Sequence, residues 1–296
     1  MKNRTSDVIA SKIIGYTILT FFALLCIAPV WLIVVGSFSD NGEIMRNGYS
    51  FWVRTFSTKA YETLFKVPKD VLNAYKVSII VTIVGTLLQL SICSSAGYVL
   101  SRKDFKYRNS ISFFFFFTTI FSAGLVPWYI LCVKYLHFKE HPYIALIVPS
   151  LFSYFYVIII RSFMSGIPAS ISESAKIDGA NDFVIFIKLI LPMSKPVLAT
   201  VGLFGALNYW NDWYNAMLFT TSKEYYPLQF YLYSVLNSAK AIASLGTSIN
   251  IETMKNLPTE TYKLATTIVA TGPIVLVYPF IQKYFIKGMT IGAVKG

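Results

Sequence analysis

The segment SESAKIDGANDFVIFIKLILP (Ser172–Pro192) runs from a polar stretch through a glycine into an almost wholly apolar stretch, and strongly apolar segments flank it on both sides. Just upstream, Pro168-Ala169-Ser170 followed by Glu173 has the pattern of a capping box, with Ser170 as the expected cap of a short amphipathic helix. Gly179 is the expected stop. Asn181 is placed to cap a second helix over 183–191, ending at Pro192. The first helix is expected to be exposed, whereas the second is too apolar to lie anywhere but against other helices.

The rest of the chain decides what those helices are. Of 296 residues, 55% are hydrophobic and only 14% charged, which leaves too little polar surface to coat a soluble globule. Six apolar runs are long enough to cross about 30 Å of hydrocarbon. They lie at 13–37, 74–100, 111–133, 143–163, 196–220 and 266–286. Their length excludes barrel strands, so the fold class is all-α, a polytopic membrane protein with six transmembrane helices in one domain over 1–296. The first run is far longer than the apolar region of a signal peptide and is read as a retained span.

Six spans put both termini on one side of the membrane. The segment SRKDFKYRNS (101–110) concentrates Arg102, Lys103, Lys106 and Arg108, which makes that side, and with it the loop 166–192, cytoplasmic. The net charge of +12 follows from this asymmetry and from anionic lipid at the inner face, and does not point to nucleic acid. Cys26, Cys93 and Cys132 lie in or at the edge of expected spans without paired spacing and read as packing residues.

Glu173-Ser174-Ala175, three residues, Gly179, nine residues and Leu189-Ile190-Leu191-Pro192 resemble the EAA loop of ATP-binding-cassette importer permeases. That pattern is E-A-A, three residues, G, nine residues, I-x-L-P, and the departures are Ser174 and Leu189. RSFMSGIP (161–168) and IDGA (177–180) are similar to the carbohydrate subgroup that includes the maltose permease subunits. AGYVLSR (96–102), FSAGLVPWYIL (121–131) and YPFIQKYFIKGMTIGAVKG (278–296) look most like permeases for complex oligosaccharides.

The resemblance implies a type I importer permease fold in a bacterial cytoplasmic membrane. It also implies that the loop docks in a cleft of a cytosolic ATPase, with Glu173, Ser174, Ala175, Asp178, Gly179 and Ala180 at the coupling site. Glu173 either completes the capping box alone or also faces that partner. The implied partners are a second homologous permease, two ATPase subunits that bind ATP and magnesium, and an external solute-binding protein, which in relatives meets the loop equivalent to 221–265, so that Lys240 to Asn256 is the expected docking region. The chain contains no GxxxxGK[ST] sequence, so it is not expected to be an enzyme or to bind a cofactor itself.

NYWNDWYN (208–215) lies within the fifth run, where a carboxylate needs a polar neighbour. On a continuous helix, Asn208, Asn211, Asp212 and Asn215 share an arc of about 100°, flanked by Tyr209 and Tyr214 with Trp210 and Trp213 opposite. Amides and a carboxylate bind sugar hydroxyls and a tyrosine ring packs on a sugar's C–H face, so this stripe is a candidate oligosaccharide pathway. The same groups can instead bond neighbouring helices. Asp212 also admits an ion- or proton-coupled secondary sugar transporter as the alternative function. Gly272-Pro273 and Pro279 suggest a kink in the sixth run. His137-Phe-Lys-Glu140-His141 matches a zinc-peptidase pattern, but it sits in a short loop before Pro142 and no further histidine exists, so no metal site is assigned.

Overall fold

The computed structural model describes residues 2–66, 68–244, 260–273 and 275. Its elements are helices α1 (Lys2–Ser37), α2 (Asn41–Asn47), α3 (Lys59–Lys66), α4 (Pro68–Ser101), α5 (Arg108–Ile120), α6 (Leu125–Ile130), α7 (Pro142–Ile147), α8 (Tyr154–Met164), α9 (Ala169–Ile177), α10 (Asp182–Ile185), α11 (Leu191–Met193), α12 (Lys195–Trp210), α13 (Tyr214–Phe219) and α14 (Leu228–Ser244). Wider π-type turns extend α6 over Leu131–Tyr135 and α10 over Phe186–Ile190, and a 3₁₀ turn extends α7 over Val148–Ser150. Residues 260–273 are also helical. The β structure among the described residues is a single bridge, Ser39 to Phe56.

The described residues fall into two compact units, one drawn from 2–68 with 232–244 and 260–273, the other from 69–231. In the first, α1 exposes apolar side chains along its length, from Ile13 and Tyr16 to Val30, as expected of a helix bathed in hydrocarbon. Beyond it, Phe38 stacks on Phe56 and Tyr61, and the Ser37 hydroxyl lies 2.9 Å from the Tyr61 hydroxyl. The core of the second unit lies where α4, α8, α10 and α12 meet, around Cys93, Leu100, Val157, Ile160, Ile185, Phe186 and Val201. Cys93 and Cys132 are buried packing residues, whereas Cys26 is exposed on α1.

Among the described residues, Ser11–Ser37 and Lys69–Ser101 are the unbroken helices long and apolar enough to cross a bilayer. Three more segments meet that test only as bent pairs: Arg108–Ile120 with Leu125–Tyr135, at 108°; Pro142–Ser150 with Tyr154–Met164, at 50°; and Asp182–Met193 with Lys195–Trp210, at 81°. The runs 111–133 and 143–163 are therefore broken where straight spans are expected. Pro149 in the turn after α7 and Pro196 in the first turn of α12 lack the N–H that a continuing helix needs. The helix after Asn181 passes Pro192 and ends at Met193, because a proline is tolerated at the start of a new turn. Of the expected sixth span, residues 276–286 and the kink at Pro279 lie outside the described residues, as do 278–296 and, beyond the backbone of 240–244, the segment to 256.

The breaks leave carbonyls that need donors. Gln89 of α4 donates its amide to the Ser150 carbonyl at 2.5 Å, and the Tyr209 hydroxyl of α12 donates to the Ile147 carbonyl at 2.9 Å. Both acceptors are last-turn carbonyls of the broken α7 segment, which no helical N–H can reach. Tyr209 fits because Gly85 of α4 has no side chain: a Cβ there would lie 2.6 Å from the ring carbon Cζ. Gly85→Ala is expected to cost about 1–3 kcal/mol by overpacking. Gly15→Ala, with nothing within 4 Å of the new methyl, should leave the midpoint unchanged or slightly raised. Thermal unfolding of the purified variants checks both.

Candidate functional sites: a helical elbow and an amide-lined cavity

The 166–192 segment forms an elbow. α9 begins at Ala169 with Pro168 preceding it, and no side chain caps its first turn. Ser170 is therefore inside the helix rather than at its cap, since Pro168 already sets the entry geometry. The capping box does not form, and Glu173 is left exposed. At the other end the Ala180 N–H donates to the Ala175 carbonyl at 2.9 Å and the Gly179 N–H to the Lys176 carbonyl at 3.0 Å. This is a Schellman closure, and it needs the left-handed φ of +84° that Gly179 supplies without steric cost. Asp178 is the C-cap and Ala180 the second residue of the closure.

Asn181 then caps the next helix as expected, its side-chain oxygen accepting from the Val184 N–H at 2.9 Å. Ile185, Phe186 and Ile190 are buried in the core, with the Phe186 ring stacked 5.0 Å from that of Tyr98. Two large apolar side chains on the outside of the elbow were not singled out in the sequence. Ile177 is 87% exposed and Phe183 72% exposed, one on either side of the glycine turn. Their signal was available: apolar residues beside helix ends that the core cannot reach. Ser172, Glu173 and Lys176 border a cavity of about 430 Å³ whose other wall includes Tyr98, Arg102 and Asp104.

The second site lies at a break in the fifth apolar run. α12 stops at Trp210 and α13 starts at Tyr214, so 208–215 is not one helix and the single-stripe geometry does not hold. Local side chains hold the break. Asn211 donates its amide to the Leu207 carbonyl at 2.9 Å; Asp212 accepts from the Asn215 N–H at 3.0 Å and from the Asn215 amide at 2.7 Å. Such short polar side chains compete with the helical ladder and begin the next helix.

The break nevertheless gathers most of the expected residues around one cavity of about 700 Å³. Asn208, Asn211, Asp212, Tyr214 and Asn215 line it, together with Ser150 and Ser153 from the α7–α8 break and the rings of Phe155, Tyr156 and Phe204. Trp213 also lines it, although a continuous helix would turn it away. Tyr209 does not: it is 1% exposed and spent on the Ile147 carbonyl. The arrangement offers amides, hydroxyls and aromatic edges, with Trp213 and Tyr214 ring centroids 5.8 Å apart. That is the donor and acceptor inventory a polyhydroxylated ligand requires. Elsewhere, His137 Nδ1 lies 3.2 Å from Glu140 Oε1, and among the described residues no three metal-ligating side chains converge.

A helical membrane protein with broken spans, an exposed elbow and a polar cavity has the construction of a transport permease. The chain belongs to the family described as the binding-protein-dependent transport system inner membrane component, whose model matches residues 89–291. It is 38% identical to the polygalacturonan/rhamnogalacturonan transport system permease protein YtcP of Bacillus subtilis (strain 168), over 100% of both chains. It is 40% identical to Protein LplC of the same organism, over 91% of this chain and 90% of that one. Among solved structures, a bacterial ABC transporter that imports the acidic polysaccharide alginate matches with a TM-score of 0.80 and 28% identity, covering 93% of this chain and 96% of that one. The protein is thus a permease subunit of an ABC importer, with an ABC permease fold. It is not itself an enzyme, and the ATPase is a separate subunit.

If the cavity is reached from water, single cysteines at Asn208, Asn211, Trp213 and Asn215, in a background lacking the three native cysteines, should react with a small hydrophilic thiol reagent. A cysteine at the buried Val201 of α12 should not. Equal labelling at all five positions would remove the cavity from consideration as a route.

Proposed function

We propose that this permease passes an oligosaccharide, delivered by an external binding protein, across a bacterial cytoplasmic membrane through the cavity at the α12–α13 break. The observation that carries the reading is the set of amide, hydroxyl and aromatic groups around that cavity. Relatives named for polygalacturonan, rhamnogalacturonan and alginate transport support it. Asp212 serves as the acceptor that starts α13, which occupies the carboxylate on which an ion-coupled alternative would depend. Six spans with both termini cytoplasmic accommodate the charge of 101–110 and put the elbow in the cytoplasm.

In this reading one domain over 1–296 carries the 166–192 segment as its coupling loop. Glu173, Ser174, Ala175, Asp178, Gly179 and Ala180 form the elbow seated in an ATPase cleft, and Ile177 and Phe183 supply its apolar contacts. A second homologous permease completes the pathway, and two ATPase subunits bind ATP and magnesium and hydrolyse the nucleotide. An exposed helix ending in a rigid turn suits transmission of a rigid-body movement, because the break defines where motion is passed on.

Glu173→Lys and Ile177→Asp should each lower substrate-stimulated ATP hydrolysis of the reconstituted importer. Loss of a buried apolar anchor at an interface costs about 2 kcal/mol, roughly a 30-fold weaker docking of the ATPase. Wild-type stimulation in both variants would remove the coupling assignment. The purified chain on its own should show no ATP turnover, measured as phosphate release after contaminating ATPases are excluded.

A further inference from the structure

Beside the elbow, four charged side chains of alternating sign close into a ring. Arg102, one residue past α4, donates to Asp104 through Nε at 2.9 Å and through a second, terminal nitrogen, and also to Asp182 at the start of α10. The Lys176 ammonium, in the last turn of α9, lies 3.7 Å from Asp104 and 3.5 Å from Asp182. Arg102 further donates to the Tyr98 hydroxyl at 3.2 Å, and the Tyr98 ring is the one stacked on Phe186. The ring thus ties the end of a long membrane helix to both arms of the elbow.

We propose that Arg102 is a positioning residue that locks the end of α4 to the coupling loop, so that displacement of the loop carries α4 with it. The proposal rests on the coupling-loop reading above and adds to it the transmembrane helix that receives the movement. An exposed ion pair would hold little. Arg102 differs because its side chain is only 17% exposed and its guanidinium is shared between two carboxylates and a phenol. A planar fork with several donors can do this, whereas a lysine ammonium cannot span both carboxylates with the same geometry. The Arg102 hydrogen bond holds the Asp104 carboxyl down at about 2, so it remains ionised across the physiological range. Lys176 and Asp182 also sit at helix ends that favour their charges.

The test uses the complete importer in proteoliposomes, with two readouts: ATPase subunits retained on purification, and ATP hydrolysis stimulated by the substrate-loaded binding protein. Arg102→Ala and Asp182→Ala are expected to retain the ATPase and to lose stimulation by about tenfold, the scale of one charge-assisted hydrogen bond. The double variant Arg102→Ala with Asp182→Ala should lose no more than either single change, because both break the same link, whereas two independent roles would add. If Arg102→Ala fails to reach the membrane, Arg102→Lys decides, with a reduced stimulation expected. Wild-type stimulation in these variants, or a double variant whose loss is the sum of the two single losses, overturns the proposal. So does loss of the ATPase from Arg102→Ala, which would make Arg102 part of the docking surface. Failure of the loop reading itself is separate, since it shows as unaltered stimulation in Glu173→Lys and Ile177→Asp.

Discussion

Within hydrocarbon, a backbone carbonyl or amide that leaves its helix has no water to turn to, and it must find another donor or acceptor in the protein. Three apolar segments among the described residues are bent helix pairs, and a further break follows α12, so that constraint governs the second unit. Gln89 and Tyr209 bond the carbonyls exposed at the α7 break, and Asp212 bonds the Asn215 N–H exposed beyond α12. Irregular backbone at such depth is tolerated where it borders a cavity, which is where Ser150, Ser153 and residues 211–215 lie. The polar groups that permit the breaks are neighbours of those that face the cavity, so architecture and pathway draw on one set of residues.

Much of this was legible in the sequence. The first five long apolar runs marked helices that the structure contains, and the helix stop at Gly179 and the cap at Asn181 lie where the residues put them. Both signals are local, and local backbone chemistry does not depend on what packs nearby. The straightness of the spans was not legible in the same way. Pro149 and Pro196 break the ladder, but prolines are common in membrane helices, and only packing decides whether one gives a kink or an 81° turn.

The fifth run shows the limit most clearly. Periodicity over 208–215 presupposes a helix, and that presupposition placed Tyr209 beside the stripe and Trp213 opposite it. Asn211-Asp212 followed by Asn215 is also a cap pattern, and reading it that way would have located the break. Tyr209 could not have been assigned from sequence at all. Its role depends on the absence of a side chain at Gly85 and on a carbonyl at Ile147, both remote along the chain.

The 81° bend between the elbow's second arm and α12 has a mechanical consequence. Two stiff arms joined near a right angle form a bell crank: a push along one arm emerges as a swing of the other, with direction changed and stroke set by the ratio of arm lengths. The arm from Asp182 to Met193 is shorter than the arm from Lys195 to Trp210, so a rotation of the pair about the bend would turn a small stroke at the elbow into a larger one at the far end of α12. That far end is Trp210, where the helix stops and the cavity begins.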